Sequence, residues 1–281
     1  MNAIPEFPTA VPVSYAVPTS LGRLHVVEYG HGPETIVLWP SIFTDHHIYD
    51  DLVATMGASH RFLLIDGPAH GQSEGGTDEF TMEDCAKAMG EVMDRFDLVA
   101  AIVGGTSWGG ITAAHLALMS PARIKALVLM NTPMQINAAQ PGLKARFIAC
   151  GARWALKTAM FRNGVANSFF SDDVLAANAS YANAFHTMLK TAQPASLAAA
   201  IQSVILRSSP LMPRMAELTV PTLVIAGKED AMYPIAVQAE AALLAPNGHF
   251  EPIEGKHISV VERPKRVADA LTRFIASEVA E

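Results

Sequence analysis

The sequence predicts an α/β fold in which a mostly parallel sheet of eight strands is flanked by helices. Short apolar runs alternate with stretches of helical length from about residue 35 to residue 130, and the alternation returns after residue 213. Such alternation requires parallel strands in one sheet that is covered on both faces. The intervening residues, 134–213, show helical patterns without a strand, which predicts a helical insertion after the sixth strand.

The individual strands and helices follow from apolar runs and turn residues. An N-terminal hairpin is predicted because Pro18 to Gly22 separate two strand-like runs, residues 13–17 and 23–29. The other predicted strands are 35–39, 61–66, 98–103, 125–130, 221–226 and 249–254, and the helices between the first four are 47–57, 81–96 and 109–119. A chain of 281 residues, 50% of them hydrophobic, therefore fits one core domain, residues 1–133 and 214–281, with the insertion as a second unit.

Composition and charge exclude several classes of protein. The formal net charge of −7 is unfavourable for a nucleic-acid partner. The two cysteines, Cys85 and Cys150, lie far apart, so we expect unpaired thiols rather than a disulfide framework. The N-terminal residues lack a basic, apolar leader and no apolar run reaches transmembrane length. We therefore expect a cytoplasmic protein without a membrane partner.

A serine stands between the predicted strand 98–103 and the helix that follows it, in the pentapeptide Gly105-Thr106-Ser107-Trp108-Gly109. A strand that turns sharply into a helix strains its central residue, and the two glycines relieve the crowding. This geometry holds the Ser107 hydroxyl near helix N-terminal amides, which stabilise negative charge. Ser107 could also merely cap the helix. A nucleophilic serine needs a histidine and a carboxylate as partners.

Candidate partners follow two later strands. Asp230 comes after strand 221–226, and His257 comes after strand 249–254. Because the carboxyl ends of parallel strands meet at one edge of a sheet, we expect both residues to lie beside Ser107. Glu229 is an alternative carboxylate, although it lies one residue before the position that the spacing from Gly227 favours.

Three motifs together resemble the α/β-hydrolase superfamily, over nearly the whole chain. They are the serine pentapeptide, residues 66–73 (Asp-Gly-Pro-Ala-His-Gly-Gln-Ser), which are similar to the family's Asp-x-x-Gly-x-Gly-x-Ser loop, and His257 with the later Glu262-x-Pro264. The resemblance implies the α/β-hydrolase fold with a helical cap. It also implies Ser107 as nucleophile, Asp230 as acid and His257 as base. The closest patterns are those of small bacterial esterases, enol-lactonases and carbon–carbon bond hydrolases.

The predicted oxyanion hole departs from the family pattern. The family's His-Gly pair at the end of the third strand is replaced here by Pro40 and Ser41. The resemblance implies that the hole consists of the backbone amides of Ile42 and Trp108. Pro40 has no N–H to offer, and Ser41 provides a hydroxyl donor. A second departure is Lys256, which stands where the family has a glycine before the histidine.

The insertion leaves the sheet at the edge that carries Ser107, so we expect it to cover the serine as a cap and to line an apolar pocket. The predicted substrate-binding residues are Ser41, His70 and Trp154. Basic residues outnumber acidic ones in the insertion. An arginine there could bind a substrate carboxylate, although a solvated helix face is the more ordinary explanation.

The sequence thus predicts a serine hydrolase that cleaves an ester or lactone of a small, largely apolar molecule through an acyl-enzyme. Two alternatives stay open, a carbon–carbon bond hydrolase with the same triad and a non-catalytic ligand receptor. Ser107 argues against epoxide hydrolases and dehalogenases of this fold, which use aspartate there. The adjacent His46 and His47 suggest a metal site, but adjacent histidines usually point apart. We expect no metal, no cofactor and a small-molecule substrate as the partner.

Overall fold

One eight-stranded sheet forms the centre of the molecule. The computed structural model describes residues 11–135, 151, 154–177 and 179–279, without the side chains of residues 179–184. The strands are β1 (Val13–Thr19), β2 (Gly22–Tyr29), β3 (Thr35–Trp39), β4 (Arg61–Ile65), β5 (Ala101–Thr106), β6 (Ile124–Met130), β7 (Thr222–Gly227) and β8 (Gly248–Ile253). Their order in the sheet is β1-β2-β4-β3-β5-β6-β7-β8. β2 pairs antiparallel with β1 and β4, and the other neighbours are parallel.

Helices flank this sheet, as the sequence predicted. Those of the core are α1 (Asp50–Met56), α2 (Met82–Arg95), α3 (Trp108–Met119), α8 (Ile235–Leu244), α9 (Ser259–Glu262) and α10 (Pro264–Glu278). Those of the insertion are α4 (Ala159–Phe169), α5 (Asp172–Ala177), α6 (Ala179–Thr191) and α7 (Pro194–Ile201), followed by a π-helical turn, Gln202–Leu206. Within the described residues, no helix combines the length and apolar character needed to cross a bilayer.

The central strands β3, β5 and β7 are buried along their whole length. Parallel strands covered on both faces need apolar side chains on both sides, which explains their uninterrupted apolar sequences. The register aligns Trp39 with Gly105 and Thr106 with Met130. The carboxyl ends of β3, β5 and β6 therefore meet at one edge of the sheet.

The start of β5 differs from the sequence prediction. Residues 98–100 were expected to begin the strand, but β5 begins at Ala101 and Val99 is 85% exposed. The reason is the end of α2, where Leu98 N–H donates to Met93 O (3.0 Å) and Asp97 N–H donates to Asp94 O (3.1 Å). These two bonds form a Schellman motif with Asp97 in the left-handed conformation (φ 55). The apolar Leu98 is thus used to terminate a helix.

Between β6 and β7, the described residues form helices and no strand, as expected for the insertion. Residues 136–150, 152 and 153, including Cys150, lie outside the described residues. Cys85 is a buried free thiol, as predicted. We propose, as a separate matter, that residues 134–213 form a unit of their own.

The left-handed Asp97 generates a prediction about stability. Glycine adopts positive φ without a steric penalty and is the usual residue at this position of a Schellman motif. Asp97→Gly should therefore raise the free energy of unfolding by about 0.5–1 kcal/mol. Urea unfolding measures the change, and Asp97→Ala serves as the matched control because alanine keeps the left-handed strain. Equal stabilities of the two variants would contradict this account of the turn.

Candidate active site

Ser107 occupies a strained turn between β5 and α3. Its backbone angles are φ 55 and ψ −110, and only 4% of the residue is exposed. A Cβ on Gly109 would lie 1.7 Å from Trp39 O, and a Cβ on Gly105 would lie 2.3 Å from the same oxygen. Only glycine fits at these two positions, which agrees with the crowding expected from the sequence. Ser107 N–H donates to Met130 O (2.8 Å) and fixes the turn to β6.

Asp230 and His257 are joined by a buried hydrogen bond. His257 Nδ1 lies 2.8 Å from Asp230 Oδ2, and both side chains are only 1% exposed. Since the carboxylate accepts, His257 Nδ1 carries the proton and its Nε2 is free to act as a base. Glu229, the alternative carboxylate, is exposed at the surface. The structure therefore brings Asp230, and not Glu229, to the histidine.

Four donors hold the Asp230 carboxylate. Besides His257, it accepts from Met232 N–H (2.9 Å), Tyr233 N–H (3.1 Å) and Asn131 Nδ2 (3.2 Å). Burial by itself would raise the pKa of Asp230, but the hydrogen bonds and the charge of His257 outweigh it, so the pKa lies below the ordinary 3.8. The group is an anion at neutral pH, as needed to orient and stabilise an imidazolium.

Asn131 is a site residue that the sequence analysis missed. It follows β6 in the left-handed conformation (φ 46), which asparagine tolerates better than most residues. Its Nδ2 donates to Asp230 Oδ2 and to Lys256 O (both 3.2 Å), and its Oδ1 accepts from Ser259 Oγ (2.6 Å). Asn131 therefore ties the loop of the acid to the loop of the base. The sequence signal that could have identified Asn131 is its position just after the carboxyl end of a predicted strand.

Ser107 and His257 border the same cavity, of about 320 Å³. Neither the Ser107 hydroxyl nor His257 Nε2 has a hydrogen-bond partner among the described residues. Hydrogen bonds between catalytic groups commonly tighten only in the complex with substrate. The rings of Phe169 and Tyr233 pack against the imidazole, with centroids 5.1 Å and 5.2 Å away. Both aromatic side chains shield the Asp230–His257 pair from water.

The rest of the cavity wall is almost entirely apolar. Its described lining consists of Ile42, Phe43, Ser107, Pro133, Met160, Phe161, Gly164, Val165, Ser168, Phe169, Val204, Ile205, Met232, Tyr233 and His257. This part of the wall contains no aspartate, glutamate, lysine or arginine. Met160, Gly164 and Ser168 recur every fourth residue of α4 and form its exposed face at the cavity. A Cβ added at Gly164 would meet no atom within 4 Å.

The predicted oxyanion amides, those of Ile42 and Trp108, lie at the ends of β3 and β5. Trp108 is the first residue of α3, whose first amides have no acceptor within the helix. The described residues provide no hydrogen-bond acceptor for the Ile42 amide either. The two amides are thus available to an oxygen above Ser107, and their role in binding it remains a proposal.

The three predicted substrate-binding residues lie outside the described cavity lining. Ser41 is completely buried, and its hydroxyl has no hydrogen-bond partner among the described residues. His70 is 1% exposed and Trp154 is 78% exposed. Trp154 lies at the surface of the insertion, and Ser41 and His70 lie behind the wall. We therefore propose no direct substrate contact by these three residues.

The described arginines of the insertion do not line the cavity. Arg162 is buried and donates to Lys157 O, whereas Arg207 pairs with Glu79. Neither belongs to the cavity lining. Lys144, Arg146 and Arg153 lie outside the described residues.

The loop that carries His257 is attached to the end of α4. Lys256 Nζ donates to Asn167 O and Phe170 O (both 3.2 Å), and Ile258 N–H donates to Phe169 O (3.2 Å). The last carbonyls of a helix lack N–H donors within it, so a cation that donates to them is favourable there. The lysine that replaces a family glycine thus links the insertion to the candidate base.

Two groups of side chains have the composition of a metal site. One is His25, His46 and Asp66, and the other is Asp45, His46 and His47. Asp66 accepts from His25 Nδ1 (2.9 Å) and His46 Nδ1 (2.8 Å), and Asp45 accepts from His47 Nδ1 (2.9 Å). Burial opposes ionisation of Asp66, yet these hydrogen bonds hold its pKa well below the ordinary range. Hydrogen bonds thus join all three members of the first group, whereas in the second they join only Asp45 and His47, and the ring of His46 lies beside that of His47 with centroids 4.0 Å apart.

Comparison with known proteins agrees with this geometry. The sequence model of the alpha/beta hydrolase fold family matches residues 34–264. The chain belongs to this family. A 3-oxoadipate enol-lactonase from Acinetobacter baylyi is 25% identical to the α/β-hydrolase described here over 260 residues, which cover 88% of this chain and 91% of that protein. A pimeloyl-[acyl-carrier protein] methyl ester esterase from Xanthomonas campestris is 26% identical over 262 residues, 90% of this chain and 99% of that protein.

Solved structures of the family match the hydrolase along most of its length. The enol-lactonase from Burkholderia xenovorans has a TM-score of 0.85 at 25% identity and covers 94% of this chain and 100% of that chain. A thermophilic esterase from Thermogutta terrifontis has a TM-score of 0.83 at 20% identity, with 96% of this chain and 100% of that chain covered. These matches confirm the predicted fold class.

The lowered pKa of Asp230 predicts a pH-dependent difference in stability. Since the pKa is lower in the folded protein, ionisation of Asp230 stabilises the fold above the ordinary pKa, and this contribution is lost as the pH falls through the folded-state pKa. Asp230→Asn should cost about 1.5–3 kcal/mol at pH 7, as for hydrogen bonds to a charged group. The difference from wild type should shrink below pH 4.

Urea unfolding of both proteins at pH 7 and at acidic pH measures this difference. Glu229→Gln is the matched control, because the neighbouring carboxylate is exposed and should leave stability nearly unchanged at every pH. A gap for Asp230→Asn that stays constant down to pH 3 would refute the argument.

Proposed function

We propose that this α/β-hydrolase cleaves a carboxylic ester or lactone of a small, apolar substrate through an acyl-enzyme on Ser107. The observation that carries the proposal is the buried Asp230–His257 pair, whose imidazole borders the same apolar cavity as Ser107. The relatives named enol-lactonase and methyl ester esterase support this class of bond.

The proposed reaction uses the same groups in both half-reactions. His257 Nε2 accepts the Ser107 proton while Ser107 Oγ attacks the acyl carbon, and Asp230 stabilises the imidazolium. The amides of Ile42 and Trp108 bind the oxyanion, at about 3–4 kcal/mol of transition-state stabilisation for a donor. His257 then gives the proton to the leaving alkoxide. Water attacks the acyl-enzyme in the same manner and releases the acid.

The cavity wall favours an uncharged acyl group. An anion transferred from water to an apolar wall loses hydration without gaining a partner, which is strongly unfavourable. The described wall offers only the hydroxyls of Ser107, Ser168 and Tyr233 and the imidazole of His257. Since Arg162 and Arg207 do not line it, we do not propose carboxylate recognition by these arginines.

We further propose that the inserted helices act as a cap over the site. α4 and the π-helical turn supply Phe161, Val165, Phe169 and Val204 to the cavity wall. The core supplies Ser107 and the residues of the strand ends. A cavity shared in this way would hold the acyl group between the insertion and the core.

Ser107→Ala should abolish ester hydrolysis. A panel of p-nitrophenyl esters of increasing acyl length, simple lactones and vinylogous diketones, assayed with wild type and variant, measures it. We expect turnover of esters or lactones that falls by at least about 10⁴-fold in the variant, because the nucleophile is removed. Ser14→Ala, which removes an exposed hydroxyl of β1 outside the cavity lining, is the matched control and should keep the acyl-transfer rate.

Other outcomes of the same panel identify the alternatives. Turnover of diketones alone would assign carbon–carbon bond cleavage. Absence of any turnover, together with failure of a fluorophosphonate to label Ser107, would point to a non-catalytic receptor and end the proposal.

The uncharged wall also predicts charge selectivity. A neutral ester should have a kcat/KM at least about tenfold higher than an isosteric ester with a terminal carboxylate, because tenfold corresponds to only about 1.4 kcal/mol of unfavourable burial. Steady-state kinetics on one such matched pair provides the test. Preference for the anionic ester would show that a cation outside the described wall reaches the substrate.

A further inference from the structure

His70 lies between the two segments that contribute the candidate oxyanion amides. Its Nε2 accepts from Phe43 N–H (3.0 Å), and its Nδ1 donates to Pro68 O (2.9 Å). Its ring packs on the indole of Trp108, with centroids 5.3 Å apart. Only the neutral ring with the proton on Nδ1 makes both hydrogen bonds, and burial, its largest influence, lowers the pKa of His70.

The turn that His70 contacts has an unfavourable backbone conformation. Thr44 N–H donates to Ser41 O (3.2 Å) and closes a four-residue turn whose third residue, Phe43, has φ 66. Turns with a left-handed third residue usually place glycine or asparagine there, since a larger side chain is strained. In the commoner right-handed turn the central peptide is flipped, and the Phe43 N–H would point away from His70.

We propose that His70 is a positioning residue for the oxyanion hole: its Nε2 holds the strained turn whose second residue, Ile42, supplies one of the two amides. This inference rests on the proposed function. The role differs from substrate contact, because the imidazole of His70 is buried behind the cavity wall and both of its nitrogens already make hydrogen bonds. Pro40 and Ser41 stand at the end of β3 in place of the family's His-Gly pair, and the turn that follows them donates its Phe43 N–H to an acceptor in the loop after β4.

Two substitutions distinguish the contributions of the two ring nitrogens of His70. In His70→Asn the side-chain amide reaches the position of Nδ1 but leaves Phe43 N–H without an acceptor. In His70→Gln the longer side chain places an oxygen near the position of Nε2. We expect His70→Asn to lower kcat for the preferred ester about tenfold or more with KM within about threefold, because an oxyanion donor acts mainly in the transition state. His70→Gln should recover most of kcat.

The left-handed conformation of Phe43 allows a second, independent test of the role of His70. Glycine adopts the left-handed conformation freely, so in the Phe43→Gly background the turn no longer needs His70. The loss of kcat on His70→Asn should therefore shrink to less than about threefold in that background, a non-additivity expected for directly interacting residues. His115→Asn, another buried histidine outside the site, is the matched control and should keep kcat.

The results distinguish this inference from the proposed function. Wild-type kcat in His70→Asn, a rise of KM without a fall of kcat, or a His70→Gln variant as slow as His70→Asn would overturn the positioning role while Ser107-dependent hydrolysis persists. Hydrolysis that survives Ser107→Ala would instead overturn the proposed function. Thermal unfolding of each variant confirms that the compared proteins are folded, and the comparison of His70→Gln with wild type retains the test if His70→Asn is unstable.

Discussion

The close packing of α3 against the end of β3 is the constraint on which the site depends. Gly105 and Gly109 let the helix approach Trp39 O to a distance that no side chain would permit, and Gly109 N–H donates to Pro40 O (3.1 Å). The same contact strains Ser107 and brings the start of α3 beside the turn that follows β3. The positions of the candidate nucleophile and of both candidate oxyanion amides therefore depend on one contact between a helix and a strand.

Much of the fold and the three central side chains could be predicted because they depend on local patterns. Buried parallel strands have uninterrupted apolar sequences, and the residues just past their carboxyl ends must share one edge of the sheet. Ser107, Asp230 and His257 all follow such strands, so their convergence needed no knowledge of distant packing. The start of β5 was misplaced because Leu98 and Val99 are as apolar as a strand, while the turn at Asp97 has no strong sequence signal.

The supporting residues could not be predicted, since their roles arise from contacts between distant segments. Asn131 joins the loops of Asp230 and Lys256, which lie 99 and 125 residues after it in the sequence. His70 acts on a turn 27 residues earlier, and Lys256 reaches carbonyls of α4 more than 80 residues before it. Trp154 is the kind of large aromatic residue that often binds ligands, but it lies at the surface. The sequence of an inserted helix does not show which of its faces meets the core. Local pattern thus places the candidate catalytic groups, whereas tertiary contacts decide what holds them.

The exposed face of α4 has a consequence for how such an enzyme diversifies. Gly164 lines the cavity, and a Cβ added there would meet no atom within 4 Å. A single codon change there can enlarge the side chain at the rim without disturbing the buried network. If the proposed function holds, an engineer can therefore vary the shape of the cavity at this one position while keeping Ser107 and the Asp230–His257 pair unchanged in sequence.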